Sequence, residues 1–170
     1  MIETTRLKLR ELTLADEKDL CDILQDEAVM YAYEGAFSDD EVKQWLERQF
    51  KRYEEDKLGL YAVVLKETNQ MIGQCGLTYQ EWKGESVLEI GYLFKKAYWH
   101  QGYATEAAIA CKQYAFNKLH TTKVYSIIRD TNIASQQVAL RNNMVKVDTM
   151  IKQYRNVEML HYLYVVEQVK

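Results

Sequence analysis

The chain contains no proline and only 7 glycines in 170 residues. Without proline-rich, low-complexity or repeated stretches, no segment reads as a linker, and one domain spanning 1–170 is expected. Three cysteines (Cys21, Cys75 and Cys111) are scattered, odd in number and without metal-ligand spacing. They read as reduced thiols of a cytoplasmic protein. Three histidines (His100, His120 and His161) are not spaced as a metal site either, so no metal is expected. No apolar run approaches membrane-spanning length, and "MIETTRLKLRE" lacks the apolar core of a signal peptide. No membrane partner is therefore expected. Excess positive charge is also missing: 22 Lys and Arg face 25 Asp and Glu, for a net charge of -3. That balance gives no broad cationic field and argues against a nucleic-acid partner. A homodimer is left open.

What is present is a change of hydrophobic period along the chain. "RLKLREL" (6–12) alternates apolar and polar residues as a half-buried strand does. Thr13 can cap a helix carrying Leu20, Ile23 and Leu24. In "SDDEVKQWLERQFKRY", Ser38 and Glu41 have capping-box spacing, and Val42, Trp45, Leu46, Phe50 and Tyr53 recur at helical intervals. "YAYEGAF" (31–37) reads as a solvated connection between these helices, with the lining of a substrate pocket as the alternative. The centre is β-branched and aromatic: "LYAVVLK" (60–66), "MIGQCGLTY" (71–79) and "VLEIGYLF" (87–94) form an antiparallel meander. A helix over about 103–119 presents Ala104, Ala108, Cys111, Ala115 and Leu119 on one face, small enough for close approach to a sheet. A strand at 123–129, a short helix at 133–142 and a hairpin about Tyr154-Arg155-Asn156 complete an α+β order with a mixed sheet.

Three stretches carry chemistry. In "AYWHQGYATEAAI" (97–109) a strand ends, Gly102 follows, and a helix opens near Ala104 and Thr105. The first amides of a helix lack internal partners and the dipole adds positive charge, so a phosphate can sit there. A tight turn capped by Thr105 explains the same residues. Neither GxxxxGK[ST] nor GxGxxG is present. In "DTNIASQQVALRNNM" (130–144), Asn132 can cap a helix; Ser135, three residues on, is tolerated there or can donate to a departing thiolate. In "VLEIGYLF", alternation puts Leu88, Ile90 and Tyr92 on one face and Glu89, Gly91 and Leu93 on the other. Glu89 is then either an outward, solvated carboxylate, as strand statistics favour, or a cleft carboxylate of raised pKa able to accept an amine proton.

Together these stretches resemble the GNAT superfamily of acyl-CoA-dependent N-acetyltransferases, and within it the Rim-type branch that acetylates ribosomal-protein N-termini. "ETTRLKLRELTLAD", "MIGQCGL", "EIGYLFKKAYWHQGYATEA", "NIASQQVALRNNM" and "YRNVEMLHYLYV" carry the resemblance, the third most specifically. It implies an α+β fold with a mixed, mostly antiparallel splayed sheet flanked by helices, and acetyl-CoA as co-substrate in the gap. Tyr92 and Phe94 would bind pantetheine through their backbone. His100, Gln101, Gly102, Tyr103, Ala104 and Thr105 would hold the pyrophosphate, and Asn132 would lie near the thiol. A primary amine, on a peptide N-terminus or a small molecule, would attack the thioester directly, with Glu89 as base and Ser135 as donor to the thiolate. Departures are Trp99 and His100 in a loop usually written Gln/Arg-x-x-Gly-x-Gly/Ala, Ala139 where many members carry a tyrosine acid, and Asn143-Met144 for Gly-Phe. An acyl-CoA-binding sensor or interaction module with little turnover is the alternative these departures support.

Overall fold

The computed structural model describes residues 1–169. Strands β1 (Ile2–Glu3), β2 (Leu7–Glu11), β3 (Leu60–Leu65), β4 (Gln70–Trp82), β5 (Glu85–Phe94), β6 (Lys123–Arg129), β7 (Val145–Tyr154) and β8 (Val157–Glu167) form a single sheet. Helices α1 (Glu17–Leu24), α2 (Asp39–Glu55), α3 (Tyr103–Asn117) and α4 (Ile133–Arg141) cover it. The spatial order is β1-β2-β3-β4-β5-β6-β8-β7, and only the β5–β6 contact is parallel. The expected mixed, mostly antiparallel α+β architecture is the one observed. No helix among the described residues is long and apolar enough to cross a membrane.

Local sequence sets most element ends. Ser38 accepts the Glu41 amide at 3.2 Å and Glu41 takes the Ser38 amide at 3.0 Å, closing the capping box of α2. Thr13 caps a short 3-10 turn, Leu14–Asp16, that leads into α1. The β7–β8 hairpin turns on Arg155 and Asn156, both with positive φ, as a two-residue turn matched to strand twist requires. Asn143 takes the left-handed conformation (φ 62°) just past α4, so the Gly-to-Asn departure is accommodated there.

Two cores lie on opposite faces of the sheet. Helix α3 lays Ala107, Ala108, Cys111 and Ala115 against Leu9, Val63, Leu77 and Ile90. The small side chains bring helix and sheet close, as expected. The expected face needs correction at its ends, because α3 stops at Asn117 and Leu119 is 36% exposed. Helices α1 and α2 cover the other face with Leu20, Ile23, Val42, Trp45 and Leu46, joined by Leu93. The segment 31–37 is no solvated connection. It forms a 3-10 turn (Met30–Tyr33) with Met30 and Phe37 buried, because Tyr33 and Phe37 stack edge-on against each other and against Trp45.

Candidate active site

The sheet parts at its centre. Strands β5 and β6 share one register pair, Glu89 with Tyr125, whereas β6 pairs with β8 along its whole length from Lys123 to Arg129. Side chains bridge the opening in place of the ladder: the Ser126 hydroxyl donates to the Ile90 carbonyl at 2.8 Å, and the Ile127 amide donates to Glu89 Oε2 at 2.6 Å. The N–H and C=O of one strand residue point the same way and reverse at the next. With the Ile90 carbonyl facing β6, the amides of Tyr92 and Phe94 face the gap too. Trp99 Nε1 donates to the Phe94 carbonyl at 2.9 Å, fixing the chain as it leaves β5.

Glu89 lies in this gap and not in open solvent, which corrects the reading that strand statistics favoured. Its face carries Gly91 and Leu93 as alternation requires, but α2 and the last hairpin cover that face. A cavity of about 360 Å³ is lined by Glu89, Tyr92, Asn132, Ser135, Tyr33 and Trp45, among others. Burial pushes the Glu89 carboxyl up to about 7, against the Ile127 amide, Lys152 and Arg52, which all favour its charged form. Oε1 has no protein hydrogen bond among the described residues, so one oxygen can receive a proton while the other holds the strands.

The loop after β5 is a row of free donors. No hydrogen-bond acceptor is recorded for the amides of His100, Gln101, Gly102, Tyr103, Ala104 and Thr105 among the described residues, whereas Trp99 and Glu106 amides are paired. Gly102 is the N-cap of α3 at φ 82°, so the helix opens at Tyr103 and Thr105 is not its cap. A Cβ at Gly102 would stand 3.4 Å from the Arg6 guanidinium. His100, where glycine is usual, adopts φ 62°, a left-handed conformation that costs a histidine something but does not exclude it. Sequence reading missed what supports this loop. Arg6 Nε meets Glu106 Oε1 at 2.7 Å, Arg6 Nη1 donates to the Gln101 carbonyl at 3.0 Å, and the guanidinium covers the Tyr103 ring at 4.3 Å. Arg6 lies just before β2 and Glu106 in the first turn of α3, so only the fold joins them. Amides without partners, beside a glycine turn, fit a pyrophosphate.

At the start of α4, Asn132 Oδ1 accepts the Ser135 amide at 3.2 Å, which makes Asn132 the cap that the sequence allowed. The same oxygen accepts from the Tyr31 hydroxyl at 2.9 Å, tying the α1–α2 connection to this helix. Tyr92 donates its hydroxyl to the Ser135 carbonyl at 2.9 Å, and burial raises its pKa. No protein partner is recorded for the Ser135 hydroxyl among the described residues. Ala139 is buried in the α3-side core and presents no hydroxyl to the cleft.

Arg48, Arg52, Arg129, Lys152, Gln74 and His161 also line the cavity, and the sequence singled out none of them as a site residue. The i, i+4 spacing of Arg48 and Arg52 on α2 was available as a signal, but nothing local said which face would look onto Glu89. Among the described residues no cluster of three or more His, Cys, Asp or Glu side chains could hold a metal ion.

A sheet splayed at its centre, with a free amide loop leading into a helix, defines an acyltransferase-like class of fold. Residues 6–145 match the family profile described as the acetyltransferase (GNAT) domain, and the chain belongs to this family. The uncharacterized protein YkkB of Bacillus subtilis strain 168 is 33% identical over 142 residues, 83% of each chain. The crystal structure of a GNAT-family acetyltransferase from Bacillus anthracis aligns with TM-score 0.82 at 22% identity, covering 98% of this chain and 97% of that one. An acetyltransferase from Salmonella typhimurium, which modifies the N-terminal serine of ribosomal protein L7/L12, aligns with TM-score 0.81 at 16% identity, again over 98% and 97% of the two chains. These two likenesses are of fold.

Proposed function

We propose that this chain is an acetyl-CoA-dependent N-acetyltransferase that passes an acetyl group to a primary amine by direct attack on the thioester. The observation that carries this reading is the opening of the sheet beyond the Glu89–Tyr125 pair, with Glu89 and Ser135 both on its cavity. The amides of His100 to Thr105 would take the pyrophosphate, those of Tyr92 and Phe94 the pantetheine amides, and Asn132 would orient the end of the arm. The amine nitrogen bonds to the thioester carbon while its proton goes to Glu89, directly or through water. The C–S bond then breaks, and the Ser135 hydroxyl donates a hydrogen bond to the leaving thiolate. A group near neutrality suits the first role, since it is ionised in a working fraction of molecules and still basic enough to accept.

The Rim-type resemblance extends this reading to peptide N-termini as acceptors, beside small amines. The Salmonella typhimurium relative in fold acts on an N-terminal serine. The sensor reading draws on Ala139, which leaves the thiolate without a tyrosine acid. Two measurements test the proposal. Acetyl-CoA raises the melting temperature if the cleft binds it, and thiol release in the presence of amines separates an enzyme from a sensor. No thermal shift at millimolar acetyl-CoA would sink both readings.

A further inference from the structure

The cavity has an acceptor side whose charge is opposite to that of the whole chain. Among the described residues that line it, Glu89 is the one carboxylate, against Arg48, Arg52, Arg129 and Lys152. Arg129 is neutralised by Glu34 at 2.7 Å. No ion pair is recorded for Arg48, Arg52 or Lys152 among the described residues. Arg52 is half-buried, and its one side-chain hydrogen bond goes to the neutral Gln49 at 3.2 Å. Exposed Arg48 and half-buried Arg52, one helical turn apart and both lining one cavity, repel each other, and Arg52 gives up part of its water with no carboxylate in ion-pair contact. Burial and the charge of Arg48 accordingly lower the Arg52 pKa. A second donor on the same side is unsatisfied: Gln74, with no exposed surface, accepts from Trp45 Nε1 at its Oε1 (3.0 Å), and its Nε2 is buried without a partner among the described residues. Buried donors and unpaired cations on one wall describe a site for an anionic oxygen group.

Resting on the acetyltransferase reading above, we propose that the acceptor is a primary amine that itself bears a carboxylate, received by Arg48 and Arg52 while its amine lies at Glu89. Two sources share that chemistry: a free amino acid, and a peptide N-terminus with an acidic residue directly behind it. A polyamine or aminoglycoside would set further ammonium groups against Arg48, Arg52 and Lys152, an arrangement like charges disfavour. The guanidinium pair can grip a carboxylate through parallel N–H donors, which also fixes the amine's angle of approach.

The test is thiol release from acetyl-CoA with acceptors matched except for charge. Alanine against alaninamide reads the free amino acid. Serylaspartate amide, serylasparagine amide and seryllysine amide read the peptide N-terminus, and spermidine reads the cationic alternative. The carboxylate-bearing member of one series should exceed its neutral partner by about tenfold or more in kcat/KM. That series identifies the source. Arg48→Glu with Arg52→Glu should reverse the order by raising KM for the acids, whereas Arg52→Lys, which retains the charge, should keep it. Spermidine or the amides accepted as well as the acids would overturn the inference and leave acetyl transfer standing. So would stabilisation by acetyl-CoA with no turnover of any carboxylate-bearing amine. Absence of any acetyl-CoA stabilisation fells the acetyltransferase reading instead.

Discussion

At the scale of single residues, Glu89 does two jobs with two oxygens: Oε2 caps an amide that the parted strands leave free, and Oε1 is open to the cavity. Glu89→Gln can still accept from Ile127 but cannot take a proton. It should keep acetyl-CoA binding while kcat falls by about 10²-fold or more, and the wild-type rate should rise as pH passes about 7. A fully active Glu89→Gln enzyme would remove the assignment. The same group links folding to pH. Its carboxyl stands at about 7 in the fold against an ordinary 4.5, so the native state holds its proton longer than the unfolded chain. Stability from this group is therefore whole below pH 4.5 and lost as pH rises through 7. Melting curves should show Glu89→Gln gaining on the wild type at pH 8 relative to pH 4.5. Gly102→Val places a β-branched residue at φ 82°, with its Cβ against Arg6. The acetyl-CoA thermal shift should shrink strongly in this variant, and an unchanged shift would place the pyrophosphate elsewhere.

At the scale of elements, loop 100–105 depends on the join between β2 and α3. Glu106 collects the Thr4 hydroxyl at 2.5 Å, the Arg6 amide at 3.0 Å and Arg6 Nε at 2.7 Å. Its pKa is lowered by the Thr4 and Arg6 hydrogen bonds, which overcome burial. Glu106→Ala strands three donors in a half-buried place. It should cost about 1–3 kcal/mol in chemical denaturation and speed amide exchange at residues 100–105; unchanged exchange would show that the loop holds itself. Much at this scale was legible in the sequence. The capping box of α2, the Asn132 cap of α4, the small-residue face of α3 and the left-handed turn at 155 and 156 all follow from contacts within a few residues. What escaped was of longer reach: the Arg6–Glu106 pair spans 100 positions, and only packing against Trp45 and Asn132 chose the pocket-lining reading of 31–37 over the solvated one.

At the scale of the molecule, a sheet that is continuous at both ends and parted in the middle creates the cleft, with one wall from each half. The α3–α4 side presents backbone donors without partners, and the α1–α2 side presents cations around Glu89. If acetyl-CoA enters as proposed, a concentration 100 times its dissociation constant should stabilise the fold by about 2.7 kcal/mol. For a chain of this size that is a rise of about 5–11 °C in melting temperature, readable by scanning fluorimetry. The shift should survive Glu89→Gln and be lost in Gly102→Val, which separates chemistry from binding.

By itself the sequence determined most of the elements, the face on which Glu89 lies and the glycine turn before α3, and its motifs carried the family resemblance. Those depend on period, capping and short motifs, all of which are local. It could not decide whether Glu89 meets water or a cleft, because alternation assigns a face and not what covers that face. Tertiary structure decided this by laying α2 and the last hairpin over β5. The same packing brought Arg48 and Arg52 onto the cavity and left Gln74 with a free donor. Burial then altered the chemistry, since a carboxylate removed from water holds its proton more tightly whatever its neighbours in the chain.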